Sequence, residues 1–135
     1  MRRLLVAALS LSLVGAGAAC SDSTSPGSSL SGTYSLRSVN NQTPPVTICD
    51  VSGCFAVQGW QLQLDANGNY LSTLQFQDQG SSFSTTQQTS GQWVLSGNQI
   101  SLVDNSGGGT LNGTVSNGSI TIFDNSTRAT LVLSR

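Results

Sequence analysis

Residues 59–78 read GWQLQLDANGNYLSTLQFQD, and both halves of this stretch keep the same rhythm. Trp60, Leu62 and Leu64 alternate with Gln61, Gln63 and Asp65. Side chains on a strand point to opposite faces at every second residue, so one face here is apolar and the other wet. Tyr70, Leu74 and Phe76 resume the alternation after Ala66-Asn67-Gly68, a turn in which Gly takes φ > 0 without steric cost. Pairing Asp65 with Asn69 sets Leu64 opposite Tyr70 and Trp60 opposite Leu74, all on one face. The stretch is expected to be a half-buried β-hairpin.

The two-residue period continues on either side. Upstream, residues 32–39 (GTYSLRSV) put Tyr34 and Leu36 on one face, and a long connection over 40–54 carries Pro44-Pro45, Cys49 and Cys54 into a strand at 56–65. Downstream of the 69–77 strand, Phe83, Thr85, Gln87, Thr89, Gly91, Trp93 and Leu95 share one parity, which predicts a strand over 83–95 bent or bulged at Ser90-Gly91, with a break into two strands there as the alternative. Gly97-Asn98 then turns the chain into 99–103, with Leu95 facing Ile100 and Trp93 facing Leu102. Asn117-Gly118, a strong hairpin signal, joins 110–116 to 119–123 and faces Val115 with Ile120. The last strand is expected at 128–134. No stretch has a helical period.

Eight sequential antiparallel strands place the first antiparallel to the last, so the sheet can close on itself and abolish its edges. The expected fold is all-β, an eight-stranded antiparallel up-and-down barrel, with a β-sandwich as the alternative. Connections of two or three residues fall at one end and longer ones at the other, which predicts a pinched end and an open mouth.

Composition narrows the chemistry. The 135 residues are 37% apolar and only 8% charged, with no His, Lys or Glu. Beyond residue 19 three Arg stand against six Asp, a net charge of −3. Nucleic acid is an unsuitable partner, because displacing counterions from phosphates takes clustered Lys and Arg. The usual general base and metal ligand near neutrality is missing with His. Serines are abundant, but no ordinary base stands ready to activate one, so the expectation is a protein that is not an enzyme and needs no cofactor.

Residues 1–19 begin with Arg2-Arg3, continue in an apolar run from Leu4 to Val14 and end in small residues. That run is shorter than the roughly 20 residues of a membrane-spanning helix, so the segment reads as an export signal. Gly17-Ala18-Ala19-Cys20 resembles the lipobox of bacterial lipoproteins, with Gly17 where that family usually has an aliphatic residue. The resemblance implies lipidation of Cys20 and a membrane partner, in a bacterial cell envelope; ordinary cleavage beside Ala19 is the alternative. Residues 20–29 then form a flexible polar tether to a domain at 30–135. With Cys20 used for the anchor, Cys49 and Cys54 are left as an even pair, expected as a disulfide in an oxidising compartment. A zinc site on Cys49-x4-Cys54 lacks further ligands, and no metal is expected.

Gly32-Thr33-Tyr34 at the start of the first strand and Arg135 just past the last resemble the Gly-x-Trp and late Arg of the lipocalin-like superfamily of barrels. The resemblance implies that Arg135 packs over Tyr34 at the closed end and that the 40–54 connection is a lid over the mouth. Barrels of this form bind small apolar molecules. Trp60, Leu62, Ser72, Leu74, Phe76, Thr85 and Gln87 are the candidate ligand-binding residues, beside a plug at the closed end that includes Tyr34, Leu64, Tyr70 and Trp93. Asp50, Asp78, Asp104 and Asp124 fall in the open-end connections as an acidic rim suited to a cationic ligand or a hard metal ion, although Asp as a simple turn former is the stronger reading. Sequons at Asn41, Asn112, Asn117 and Asn125 matter only in a glycosylating host. The competing function is protein–protein interaction, either as an envelope structural module or as a protease inhibitor. Bacterial inhibitors of barrel form resemble this chain in a Gly-x-Trp-like first strand and one disulfide. An exposed Ile48 or Val51 would favour that function, and an enclosed cavity the binding of a small molecule.

Overall fold

A computed structural model describes residues 29–135. The export signal, Cys20 and the tether up to residue 28 lie outside the described residues. The strands are β1 (Gly32–Val39), β2 (Val46–Asp50), β3 (Gly53–Leu64), β4 (Asn69–Asp78), β5 (Thr85–Ser96), β6 (Gln99–Asp104), β7 (Thr110–Ser116), β8 (Ser119–Asp124) and β9 (Ala129–Ser134). Among the described residues there is no helix. From β3 to β9 each strand pairs antiparallel with the next, β9 pairs with β1, and β1 closes the circle on β3. The result is a closed eight-stranded up-and-down barrel, and closure excludes the sandwich.

The ninth strand is the correction. The 40–54 connection, expected as a loop, contains β2, which pairs with β3 from Val46↔Val57 to Asp50↔Gly53. β1 meets β3 only over Gly32–Ser35 and Gln61–Leu64, so β2 extends the wall above that contact. Between them Asn40 and Asn41, at φ 51° and 63°, make a tight reversal that bridges Val39 to Gln42. Pro44-Pro45 follows, and its missing amide protons cannot template further pairing at that free edge. Ile48 is 8% exposed and faces inward, so β2 serves as a stave of the barrel where a lid loop was expected.

Two bulges keep the apolar faces inward. In β3, Val57 pairs with Phe76 and Gly59 with Gln75, leaving Gln58 as the extra residue. The inward set thereby switches parity from Phe55 and Val57 to Trp60, Leu62 and Leu64. In β1 the register shifts between Leu36 and Ser38, so Val39 is buried where unbroken alternation would have put Ser38.

The hairpin registers agree with the sequence reading: Leu64↔Tyr70, Trp60↔Leu74, Trp93↔Leu102, Leu95↔Ile100 and Val115↔Ile120. The inward faces of Tyr34, Leu62, Trp93, Ile100, Leu102, Ile120, Ile122 and Leu133 are almost wholly removed from water. Each such burial is worth roughly 1.5–3 kcal/mol before ordering costs. The polar handles of the two large aromatics are satisfied: Tyr34 Oη donates to Leu30 O at 2.8 Å and Trp93 Nε1 to Asp65 O at 3.0 Å. Both bonds tie the pinched end shut.

Strand tilt decides how the interior is divided. The paired row Gly32–Leu64–Tyr70–Gly91–Asp104 starts at the closed end and finishes at the open rim. Residues level along a row are therefore at quite different heights in the barrel.

Candidate functional site

Above the plug the barrel is hollow. A cavity of about 220 Å³ is bounded by Ile48, Phe55, Val57, Trp60, Tyr70, Ser72, Leu74, Gln87, Thr89, Leu102, Leu111, Ile122, Asp124 and Leu131. Gln87 and Leu111 are exposed, which places the opening at the mouth. Two further depressions, of about 250 and 460 Å³, lie at the β1–β3 seam and beside the Asp65–Asn69 turn.

Of the candidate ligand-binding residues, Trp60, Ser72, Leu74 and Gln87 line the cavity together. Leu62, Phe76 and Thr85 do not. Leu62 has no exposed surface and packs beneath the cavity, since the tilt of β3 carries it down into the plug. Phe76 packs edge-on against Phe55, ring centroids 5.7 Å apart, and Thr85 is exposed at the start of β5. Tyr70, expected in the plug, lines the cavity. Its ring lies where a side chain on Gly91 would be: a Cβ there would come within 2.8 Å of Tyr70 Cε1 and 1.8 Å of Val103 O. Gly91, read only as a bend, is what makes room for this ring.

The polar groups of the cavity are of two kinds. Trp60 Nε1 donates to Ser72 Oγ at 2.6 Å. The Tyr70 hydroxyl, on a residue only 6% exposed, has no hydrogen-bond partner among the described residues and keeps some surface open to the cavity. Burial, and then the nearby Asp104 charge, push its ionisation above the ordinary 10.0. Tyr70 therefore remains a neutral phenol across the physiological range.

Asp50, Asp78, Asp104 and Asp124 end β2, β4, β6 and β8, four of the strands that rise to the mouth. Each shares the inward parity of its strand, as in Ile120, Ile122 and Asp124. Asp50 Oδ1 accepts from the Ser52 hydroxyl and from the Ser52 and Gly53 amides, and Asp104 Oδ1 from the Ser106 hydroxyl and amide. These bonds, the Ser hydroxyl first, hold both carboxyls below the ordinary 3.8. Asp124 differs in lining the cavity. Partial burial works to raise its pKa, but bonds from Thr127 and Ser126 outweigh that and leave it lowered. Asp50, Asp104 and Asp124 are thus ionised at neutral pH, and the turn-forming role of Asp is real at the same three positions.

At the closed end the guanidinium of Arg135 covers Tyr34 and donates to Ser29 O at 2.7 Å and Ser31 O at 2.9 Å. Gly32, at φ 147°, lies directly under it: a Cβ there would be 3.2 Å from Arg135 Nε. Cys49 and Cys54 form the expected disulfide, directly opposite each other across β2 and β3. The hairpin it ties ends at Val51, whose side chain is fully exposed.

No protein-family model matches the chain, and comparison with the curated proteins and with the solved structures found no match. The class of the molecule accordingly rests on its own geometry, a closed up-and-down barrel packed at one end and hollow at the other.

Proposed function

We propose that this is an exported binding protein of lipocalin-like form that takes a small apolar or amphipathic molecule into its barrel. The observation that carries the reading is the cavity of about 220 Å³, walled mainly by Val57, Trp60, Leu74, Ile122 and Leu131, at the mouth of a barrel whose other end is solid. Its size, below the roughly 300 Å³ at which drug-sized sites begin, suits a small ligand. The placement of Gly32, Tyr34 and Arg135 supports the lipocalin-like class. The lipobox-like tract at Cys20 supports a lipid anchor in a bacterial envelope. That anchor would join the domain beside β1, at the closed end, and leave the mouth facing away from the membrane. No catalytic role is proposed for a chain without His, Lys or Glu.

Native mass spectrometry of the exported protein, released gently from its host's envelope fraction, tests this. The expected spectrum contains a small-molecule adduct that disappears on denaturation. A bare mass in every preparation would contradict the carrier reading. Mass analysis of the N-terminal peptide tests the anchor: a diacylglyceryl-sized addition on Cys20 is expected, and a free Cys20 thiol contradicts it.

A second reading has one observation in its favour. Val51 projects at the tip of the disulfide-tied hairpin, whereas Ile48 below it is buried, so the tip could insert into a protein partner such as an envelope component or a protease. Under that reading Val51→Asp abolishes co-purification of the partner without affecting ligand retention; an unchanged partner would rule the tip out.

A further inference from the structure

The polar groups of the cavity are unevenly used, and the imbalance indicates what its ligand carries. Trp60 Nε1, a donor, is already committed to Ser72 Oγ. Asp124 is the one carboxylate in the cavity wall, placed there by the inward parity of Ile120, Ile122 and Asp124. Its Oδ1 accepts from the Ser126 amide and its Oδ2 from Thr127 Oγ1, with the Ser126 hydroxyl within reach of both. With the Thr127 amide, four protons serve its about four acceptor positions, but none of them comes from a cation, so the negative charge itself is left without a counter-charge. No described arginine pairs with it: Arg37 bonds Ser134 Oγ and Arg135 O, Arg135 is stacked at the closed end, and Arg128, although in the turn that follows Asp124, is exposed and makes no ion pair with it. Independently, Tyr70, a residue only 6% exposed, lines the same cavity, and its hydroxyl has no hydrogen-bond partner among the described residues. A pure hydrocarbon would leave the Asp124 charge without a counter-charge and the Tyr70 hydroxyl unanswered, and a carboxylate-headed ligand would meet repulsion from Asp124 and its rim neighbours. Asp50 and Asp104 are held by their own turns in the same way but do not line this cavity.

We infer that the ligand is a cationic amphiphile, a short apolar body lodged against Val57, Trp60, Leu74 and Leu131 with a protonated amine paired to Asp124. This rests on the carrier reading and adds the head-group class to it. A charge-assisted bond from an ammonium to a partly buried carboxylate supplies the selectivity, and the apolar wall supplies a contribution common to every head group.

The test is calorimetric titration of the purified exported protein at neutral pH and low salt with three probes of one chain length: octylamine, octanol and octanoate. The inference expects octylamine to bind about tenfold tighter than octanol, with octanoate weakest. In Asp124→Asn, which keeps an oxygen acceptor for the turn, the preference for octylamine over octanol should fall to within about twofold. Octanol binding as well as octylamine, octanoate binding best, or an amine preference that survives Asp124→Asn each overturn the inference and leave the carrier reading standing. Binding of none of the three contradicts both.

Discussion

The guanidinium carbon of Arg135 stands 5.1 Å above the ring centroid of Tyr34, so the last residue of the chain covers the first inward aromatic of β1. Tyr34 has no exposed surface, and the guanidinium closes the end that its ring fills. Losing the stacking and the bonds to Ser29 O and Ser31 O in Arg135→Ala is expected to cost about 1–3 kcal/mol. Gly32→Ala should cost about as much through the backbone alone, because φ 147° strains any L side chain. Its close approach to Arg135 adds to that. In urea unfolding both variants should lower the midpoint at constant m, and the double variant should lose less than the sum, since the clash disappears with the guanidinium.

Gly91→Ala is the most damaging single methyl expected in the wall. Its Cβ would lie 1.8 Å from Val103 O on the paired strand, and backbone cannot move aside as a flexible side chain can. A loss above about 3 kcal/mol, or failure to fold, is predicted. Gly59→Ala is the control: its nearest neighbour is Gln75 Oε1 at 3.7 Å, so its midpoint should shift little.

The Cys49–Cys54 disulfide closes a short loop, with a sequence separation of 5. Chain-entropy scaling for so small a ring gives about 2 kcal/mol. Because β2 pairs only with β3, the effect should be local. Hydrogen exchange on the Cys49→Ser, Cys54→Ser double variant should show the β2 amides losing protection while β6–β9 keep theirs. Uniform loss around the barrel would contradict a peripheral β2.

Stability should be flat through neutrality and fall at both extremes. Asp50, Asp65, Asp104 and Asp124 all have folded pKa values lowered from 3.8, so below that value the unfolded chain takes up protons more readily than the folded one. Stability present at neutral pH is therefore lost on acidification through the folded values. Tyr70 runs the opposite way: raised above 10.0, its contribution is complete below that pH and is lost as alkali takes the proton from the unfolded chain first. Thermal midpoints across pH 2–12 check both limbs. A transition between about pH 5 and 8 would contradict the account, since the chain has no His.

Alternation between neighbouring strands was readable because a hairpin is local: Trp60, Leu74 and the Asp65–Asn69 turn lie within fifteen residues. Two things were not. A bulge appears in sequence only as a change of parity, here from Phe55 and Val57 to Trp60 and Leu62, with Gly59 as its only marker. β2, five residues between Pro44-Pro45 and the hairpin tip, is too short to display a period. For the site, alternation told which side chains face inward but not their height. Height depends on tilt, which takes Leu62 into the plug and leaves Tyr70 facing the cavity. The contributions of Leu111 and Leu131 come from strands far along the chain and depend on the same stagger.

The two tryptophans provide the most direct test of the central claim that a hollow upper barrel takes up a small amphiphile. Trp60 Nε1 lies at the cavity, bonded to Ser72, and Trp93 Nε1 is locked to Asp65 O at the closed end. The measurement is an NMR titration of the exported protein with octanol, following both indole N–H resonances. The account predicts that the Trp60 resonance moves saturably while that of Trp93 stays in place; neither moving, or both moving together, would contradict it.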